Sequence, residues 1–425
     1  MFRTSLLCLP LEVIDQVLRY TKDGPFHTEK DQKTLHAVCL SSKYLYALAK
    51  PHLWHEIATD KLDLLCLARS LTMNSSLALL IRKLDISSPQ KYDLDEAYTL
   101  LRTTSLVPSP WTRKLRMGDR KAITLLLLEA LLLQALHLET FSFCSSDDLT
   151  HVRLFEGRKR RSLARLPTLK DMELYVPYSG GSRDDLLMQV QAVIIGQKKL
   201  YIELESQLCF KRGRLDLTML EDLDISCDYM TRSDLVEIIH ACPKLESFGY
   251  HGGDLHDLVL TGLEPVAVDE IFAALRSHER LLKKVAVHYY YDEWAEDQLR
   301  PRDLLPKLHG FVRLVDLDVD FVSLLDISSS TDSETEEDAY EKTKFLSKLP
   351  CSLKHMRIFK ADSRLEEELT ELAEYKPQRL PHLERVILEY YEEGIAHERF
   401  TEDVDDDLVE VKEALNKAGI KLLMD

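Results

Sequence analysis

A six-residue pattern of apolar positions recurs along most of the chain. It consists of a Leu or Ile, two residues of any type, an apolar residue, one further residue and a second apolar residue, and it occurs nine times. Apolar residues on alternate positions predict half-buried β-strands. The last six copies begin 25 to 39 residues apart, a spacing typical of repeat proteins. The nine copies begin at Ile81, Leu138, Leu169, Leu220, Leu245, Leu282, Leu314, Leu353 and Leu383.

Segments with helical spacing of apolar residues lie between these strands. We predict helices at residues 182–195, 231–241 and 269–277, and a final helix at 407–418 that begins a C-terminal capping unit. The stretch 200–205 predicts a tenth strand. Because one strand and one helix cannot bury their own apolar faces, neighbouring units must stack, and their strands then form a parallel sheet. The fold class expected for most of the chain is therefore α/β.

The first sixty residues have a different, purely helical pattern. Pro10 suits the first position of a helix, where its missing N–H costs no hydrogen bond. An apolar stripe formed by Val13, Ile14, Val17 and Leu18 follows, and two further short helices are indicated around Leu35 to Leu40 and Tyr44 to Ala49. Leu53 and Trp54 come directly afterwards and supply a large apolar surface that either closes the three helices or anchors a partner.

The residues LPLEVIDQVLRY, followed by LHAVCLSSKYLYALAKPHLWHEI, closely resemble the F-box in the variant common in fungal proteins. The resemblance covers about residues 6–57, although the link at 22–34 is longer than usual. It implies binding of a Skp-type adaptor, which connects to cullin and RING subunits. The adaptor-binding residues that it implies are Leu9, Pro10, Leu11, Val13, Ile14, Val38, Leu40, Pro51, Leu53 and Trp54. The alternative is that the three helices are an ordinary helical cap on the repeats.

The segment DLVEIIHACPKLESFGY, from Asp234 to Tyr250, resembles a leucine-rich repeat of the type that follows F-boxes. The resemblance implies an irregular horseshoe-shaped solenoid over residues 61–425, behind an F-box at 1–60, with a protein target held on the concave wall. Positions that alternate with the apolar residues should face away from the core. These candidate target contacts are Thr140, Ser142, Asp222, Asp224, Ser247, Gly249, Asp316, Asp318, Arg357 and Arg385.

Composition and charge exclude several classes of protein. A net charge of −17 argues against general nucleic-acid binding, since phosphate contacts need clustered Lys and Arg. The eight cysteines form no CxxC pair, as expected of reduced thiols in the cytoplasm or nucleus. The apolar stretch 122–138 is short and interrupted by polar residues, so we predict a buried helix rather than a membrane span.

Two charged segments are predicted to lie outside the repeats. Residues 326–341 have seven acidic residues and no basic ones, and they predict a disordered insertion. Residues 158–161 are all basic, and a nuclear import signal, a contact for an acidic partner or an exposed loop between repeats explains them.

Catalytic motifs are missing from the sequence: it contains no GxSxG, no phosphate-binding loop, no HExxH and no Rossmann glycine series. We therefore expect a non-catalytic protein without cofactors or metal. The favoured function is the substrate-recognition subunit of an SCF-type E3 ubiquitin ligase, with an unidentified protein target. The alternative is a leucine-rich-repeat scaffold with a role outside protein degradation.

Overall fold

The chain forms two compact units, residues Met1–Tyr175 and Val176–Asp425. The structure is a computed structural model, and each unit is described by itself. The residues that the structure describes are 10–22, 29–58, 64–86, 93–103, 120–144, 168–176, 197–208, 217–254, 266–290, 305–320, 324, 345–359, 365–389 and 400–424.

Three helices open the first unit: α1 at Leu11–Lys22, α2 at Glu29–Ser41 and α3 at Lys43–His55. The carbonyl of Pro10 accepts hydrogen bonds of 3.1 Å from the N–H groups of Val13 and Ile14 in the first turn of α1. Ser42 separates α2 from α3, and its hydroxyl oxygen accepts a hydrogen bond of 3.1 Å from the N–H of Leu45. The helices indicated by the apolar pattern are thus present.

Four parallel strands of the first unit pair in sequence order. They are β1 (Glu56–Ala58), β2 (Lys83–Ile86), β3 (Thr140–Cys144) and β4 (Asp171–Val176). Between them lie α4 (Leu64–Met73), a 3-10 helix (Ser75–Leu80), α5 (Leu94–Thr103) and α6 (Arg120–Gln134). Leu127, Ala130 and Leu132 of α6 are fully buried, which confirms the prediction of a buried helix. No helix among the described residues is both long and apolar enough to cross a bilayer.

Eight parallel strands of the second unit also pair in sequence order. They are β5 (Lys199–Leu208), β6 (Asp222–Met230), β7 (Ser247–Asp254), β8 (Lys284–Tyr290), β9 (Asp316–Asp320), β10 (His355–Phe359), β11 (Arg385–Glu389) and β12 (Lys421–Met424). The helices are α7 (Arg232–His240), α8 (Val268–Leu275), α9 (Leu365–Arg379) and α10 (Phe400–Lys417).

Each repeat in the second unit is built by the same local rule. The first Leu of the motif, such as Leu220, lies buried in the turn before its strand, and the two later apolar residues, such as Leu223 and Ile225, point into the core. The intervening aspartates, Asp222 and Asp224, lie on the other face of the sheet and are half-buried. The motif therefore fixes which face of every strand is covered.

The predicted parallel α/β fold is confirmed within each unit. Strands occur at all nine motif copies and at 200–205, while β1 and β12 add one strand at each end. The predicted helices at 231–241 and 269–277 correspond to α7 and α8, and the hydroxyl oxygen of Thr231 caps α7 by accepting a hydrogen bond of 3.1 Å from the N–H of Asp234. The predictions for residues 158–161, 182–195 and 326–341 lie outside the described residues.

Candidate functional site

The interior of helices α1 to α3 is a small apolar core. Its buried members are Ile14, Leu18, Leu35, Cys39, Leu45 and Ala49, and Val38, Leu48 and Leu53 pack against them. Burial raises the pKa of the Cys39 thiol. A polar contact of 2.9 Å between His52 Nε2 and Asp15 Oδ1 also joins α3 to α1. The core and this contact keep the three helices packed together and so fix the positions of the side chains on their outer surface.

The outside of these helices carries a set of exposed apolar side chains, here called the helix surface. Its exposed fractions run from 39% to 74%, with Leu40 the most exposed. The helix surface consists of Leu11, Val13, Val17, Leu40, Tyr44 and Tyr46. Among the described residues, only seven other large apolar side chains are exposed, and they are spread from Met73 to Met424. Exposed apolar residues are therefore concentrated on the first three helices.

The local geometry of the helix surface follows from the positions of its residues on the helices. Val13 and Val17 are one turn apart on α1, so their side chains lie on one side of that helix. Leu40 and Tyr44 lie on either side of Ser42, where α2 gives way to α3. Lys50 places its ammonium group 5.9 Å from the centre of the Tyr46 ring. Apolar groups are thus presented both along α1 and at the α2–α3 turn.

The ten predicted adaptor-binding residues fall into four groups. Pro10, Leu11, Val13, Leu40 and Pro51 are exposed. Val38, Leu53 and Trp54 are half-buried, and the first two pack against the core of the helices. Ile14 is buried, and Leu9 lies outside the described residues.

Ile14 requires a correction, because its side chain is 0% exposed and so cannot contact a partner while the helices keep this packing. The apolar stripe on α1 that contains Ile14 is wider than the part of α1 that α2 and α3 cover. At about 100° per residue, Ile14 and Leu18 share one side of α1, while Val13 and Val17 share a flank. This arithmetic, applied to the sequence, would have identified Val17, which the predicted set omits together with Tyr44 and Tyr46.

The side of the second unit's sheet that lies opposite the buried apolar residues is polar, and many of its described side chains are paired. Asp316 and His355, on neighbouring strands, are 2.5 Å apart, and Arg357 lies 3.3 Å from Glu389. Most of the residues predicted to face away from the core on these strands are half-buried there, whereas Arg385 is exposed and Gly249 is buried. We call this side the sheet face.

Four side chains at the centre of the sheet face form one connected group, here called the histidine cluster. It consists of Asp224 on β6, His251 on β7, His288 on β8 and Asp318 on β9. Gly249 makes room for it, because a Cβ atom there would lie only 2.7 Å from the carboxyl carbon of Asp224. The cluster spans four adjacent strands.

The described residues contain no group of three or more His, Cys, Asp or Glu side chains arranged to hold a metal ion. The described residues offer an apolar contact surface on α1 to α3 and polar, hydrogen-bonding groups on the sheet face. The sequence matches no protein-family model, and it matches none of the curated proteins with which it was compared.

Proposed function

We propose that this chain is the substrate-recognition subunit of an SCF-type E3 ubiquitin ligase. In this proposal helices α1 to α3 act as an F-box and bind a Skp-type adaptor, which links the chain to cullin and RING subunits. The strands act as leucine-rich repeats, and their sheet face binds a protein target. In this proposal the chain itself supplies no catalytic group, and ubiquitin transfer depends on the enzyme that the complex recruits.

The observation that carries this proposal is the helix surface. Large apolar side chains that lie in water gain free energy when a partner covers them, and clusters of them mark interaction sites more often than scattered ones do. Six such side chains occur within 36 residues, Leu11 to Tyr46. Two of the six are tyrosines, a residue type that is common in the energetically important parts of interfaces. A docking role explains their exposure, whereas a simple helical cap does not need it.

The identity of the partner rests on the resemblance of the N-terminal sequence to the F-box. Among the residues which that resemblance assigns to the adaptor, Leu11, Val13 and Leu40 belong to the helix surface, and Pro10 and Pro51 are also exposed. The half-buried Trp54 follows them near the end of α3. The residues implied by the resemblance and the exposed apolar residues thus overlap in three side chains.

Binding to a purified Skp-type adaptor tests the proposal. We expect the full chain to form a complex that survives size-exclusion chromatography and gives a measurable Kd by calorimetry. Replacing Leu40 and Tyr44 by Asp should weaken binding about tenfold or more, because charge is placed where apolar contact is required. The matched control is Leu79→Asp, which changes an exposed leucine of the same unit outside the helix surface.

Two results would count against this function. If the wild-type chain does not bind the adaptor, the resemblance does not describe its partner. If Leu40→Asp/Tyr44→Asp binds as tightly as the control, the helix surface is not the docking site. A chain that binds the adaptor but whose deletion leaves every protein's abundance unchanged would instead be a scaffold outside degradation.

A further inference from the structure

Four adjacent strands of the second unit carry an excess of acidic residues. The sequences of β6 to β9 contain seven aspartates, one lysine and no arginine. The next three strands, β10 to β12, contain two arginines, one lysine and one glutamate instead. The acidity is therefore a local property of β6 to β9 and does not simply reflect the net charge of −17 on the whole chain.

Two of these aspartates, Asp224 and Asp318, lie in one row across the sheet face. Asp224 on β6 is in register with Gly249 on β7. Gly249 is in register with Ala286 on β8, and Ala286 with Asp318 on β9. Neighbouring strands of a sheet are about 4.8 Å apart, so the Cα atoms of the two aspartates are separated by about 14 Å. We call this row of four residues the acidic row.

The middle of the acidic row has very little side-chain volume. Gly249 has no side chain and Ala286 has a single methyl group, so the sheet surface is lowest between the two carboxylates. The carboxylate of Asp224 leans toward this middle, because a Cβ atom on Gly249 would lie 2.7 Å from it. A partner lying across the row can therefore approach both carboxylates from between them.

The two carboxylates keep capacity to accept hydrogen bonds. The side chain of Asp224 is 38% exposed, and its Oδ1 atom has no hydrogen-bond partner. Asp318 accepts a hydrogen bond of 3.1 Å from Nε2 of His288. Arg357, the neighbour of Asp318 on β10, pairs with Glu389 at 3.3 Å. Because a carboxylate has about four acceptor sites, one such bond leaves room for further donors.

The separation of the two carboxylates selects the kind of cation that suits them. A calcium or magnesium ion needs its oxygen ligands within about 2.6 Å, which carboxylates this far apart on a flat sheet do not provide. Lysine and arginine carry their charge on long side chains, and a guanidinium group forms paired hydrogen bonds with a carboxylate. Residues four apart in an extended peptide are separated by about 13 Å. One extended segment can thus place a basic side chain on each aspartate.

We propose that the acidic row binds a basic segment of the target protein, with an arginine or lysine side chain on Asp224 and another on Asp318. The charge of the segment is opposite to that of β6 to β9, and its extended form matches the spacing of the row. The inference names the chemistry of the target and so rests on the proposed function, in which the sheet face binds that target.

Fluorescence anisotropy with fluorescein-labelled octa-arginine and the full chain tests the proposal. Measurements at about 0.15 M salt limit general attraction to an acidic protein, because charges more than about 8 Å apart are then screened. We expect saturable binding by the wild-type chain. Asp224→Asn/Asp318→Asn keeps the shape of both side chains but removes their charges, and should weaken binding about tenfold.

The matched control is Glu410→Gln/Glu413→Gln, which removes two exposed carboxylates from α10 and changes the net charge equally. It should change the Kd less than about twofold. A second variant, Ala286→Gln, fills the low middle of the row without changing any charge and should also weaken binding. Thermal unfolding of each variant shows whether it has folded, and Ala286→Gln tests the row even if the double aspartate variant does not fold.

Three results would overturn the proposal: no binding of octa-arginine by the wild-type chain, equal Kd values for Asp224→Asn/Asp318→Asn and the control, or wild-type affinity in folded Ala286→Gln. Adaptor binding is measured on the same preparations. If the adaptor binds and the peptide does not, the proposed function stands and the basic target segment is rejected. If the peptide binds the acidic row and the adaptor does not bind, only the proposed function fails.

Discussion

The helix surface and the sheet face differ in the chemistry of their side chains. The helix surface leaves six apolar side chains in water above a small core. The sheet face presents polar and charged groups that are already paired across strands, as in Arg357 with Glu389 and Asp316 with His355. Covering the first releases ordered water, whereas binding to the second must exchange existing ion pairs for new ones.

In the proposed function, this difference assigns affinity for the adaptor and selectivity for the target to different parts of the chain. An apolar surface binds one partner firmly through shape and burial, which suits a constant adaptor. A face of paired charges binds tightly only to a partner whose charges match its own pattern, which suits the selection of a target. The comparison depends on which side chains are core and which are surface, and the following predictions test that division in order of decreasing effect.

Replacing a core residue of the helices should have the largest effect on stability. Ile14→Ala removes a fully buried side chain, and we expect it to reduce the free energy of unfolding of α1 to α3 by about 2–5 kcal/mol. Native-state hydrogen exchange of the amides in these helices measures this locally. Leu40→Ala is the matched control, and because Leu40 is 74% exposed its change should stay within about 0.5 kcal/mol. Equal losses of stability in the two variants would mean that Ile14 does not contribute to a core more than Leu40 does.

Two glycines of β7 allow the same change to be made on opposite sides of the sheet. In Gly252→Ala the new Cβ would lie 2.6 Å from the ring of Tyr289, which is buried and donates a hydrogen bond from its hydroxyl to the carbonyl of Val266. We expect a loss of about 1–3 kcal/mol in urea unfolding, because the buried and hydrogen-bonded ring must shift to admit the Cβ.

Gly249→Ala provides the matched control on the sheet face. There the Cβ would meet the carboxylate of Asp224, a short side chain that is 38% exposed and can turn toward water. The loss of stability should therefore be smaller than for Gly252→Ala. If Gly249→Ala is the more damaging of the two, the sheet face is more rigidly packed than the comparison assumes.

The strands were predictable from sequence because their signal is local. Alternating apolar residues specify both a strand and its buried side, and nine of the ten strands β2 to β11 also have the preceding Leu or Ile of the motif. These ten strands could therefore be placed before their neighbours in the sheet were known. The neighbouring positions of the two histidines of the cluster could also have been predicted from the sequence. His251 and His288 both occupy the seventh position counted from the first Leu of their motifs, so extending the six-residue motif by one position would have placed them side by side.

The burial of Ile14 was not predictable in the same way. The stripe on α1 shows which residues are apolar, but α2 and α3 decide how much of it is covered. The direct contact between the two Nδ1 atoms likewise depends on how both rings turn, and strand register alone does not fix that. Such features arise from packing between elements rather than from the pattern within one.

A buried histidine, His278, makes the stability of the second unit depend on pH. His278 is 4% exposed, and its Nε2 donates a hydrogen bond of 2.9 Å to the carbonyl of Cys242. Burial lowers the pKa of this imidazole. The hydrogen bond to Cys242 partly opposes this by raising the pKa, and the nearby His240 lowers the pKa by a smaller amount. The unfolded chain therefore binds this proton more readily than the folded chain does.

Stability should consequently fall as the pH drops below about 6.5, the ordinary histidine value, and level off below the lowered pKa of the folded protein. One proton limits the slope to about 1.4 kcal/mol per pH unit. Urea unfolding of the wild-type chain and of His278→Gln between about pH 7.5 and pH 5 isolates this contribution, since other groups titrate equally in both. A difference between the two proteins that does not vary with pH would show that His278 is not the responsive group.

The smallest effect is expected where the second unit pairs charges at the beginnings of its strands. Lys198 and Glu221 are 2.7 Å apart, and both side chains are more than one third exposed. Water screens such a pair and ordering the long side chains costs entropy, so a double-mutant cycle with Lys198→Ala and Glu221→Ala should give a coupling of only about 0.2–1 kcal/mol, decreasing with added salt. A larger coupling that resists salt would mean that paired charges hold the strands together. The polar groups of this sheet would then contribute as much to folding as to the choice of a partner.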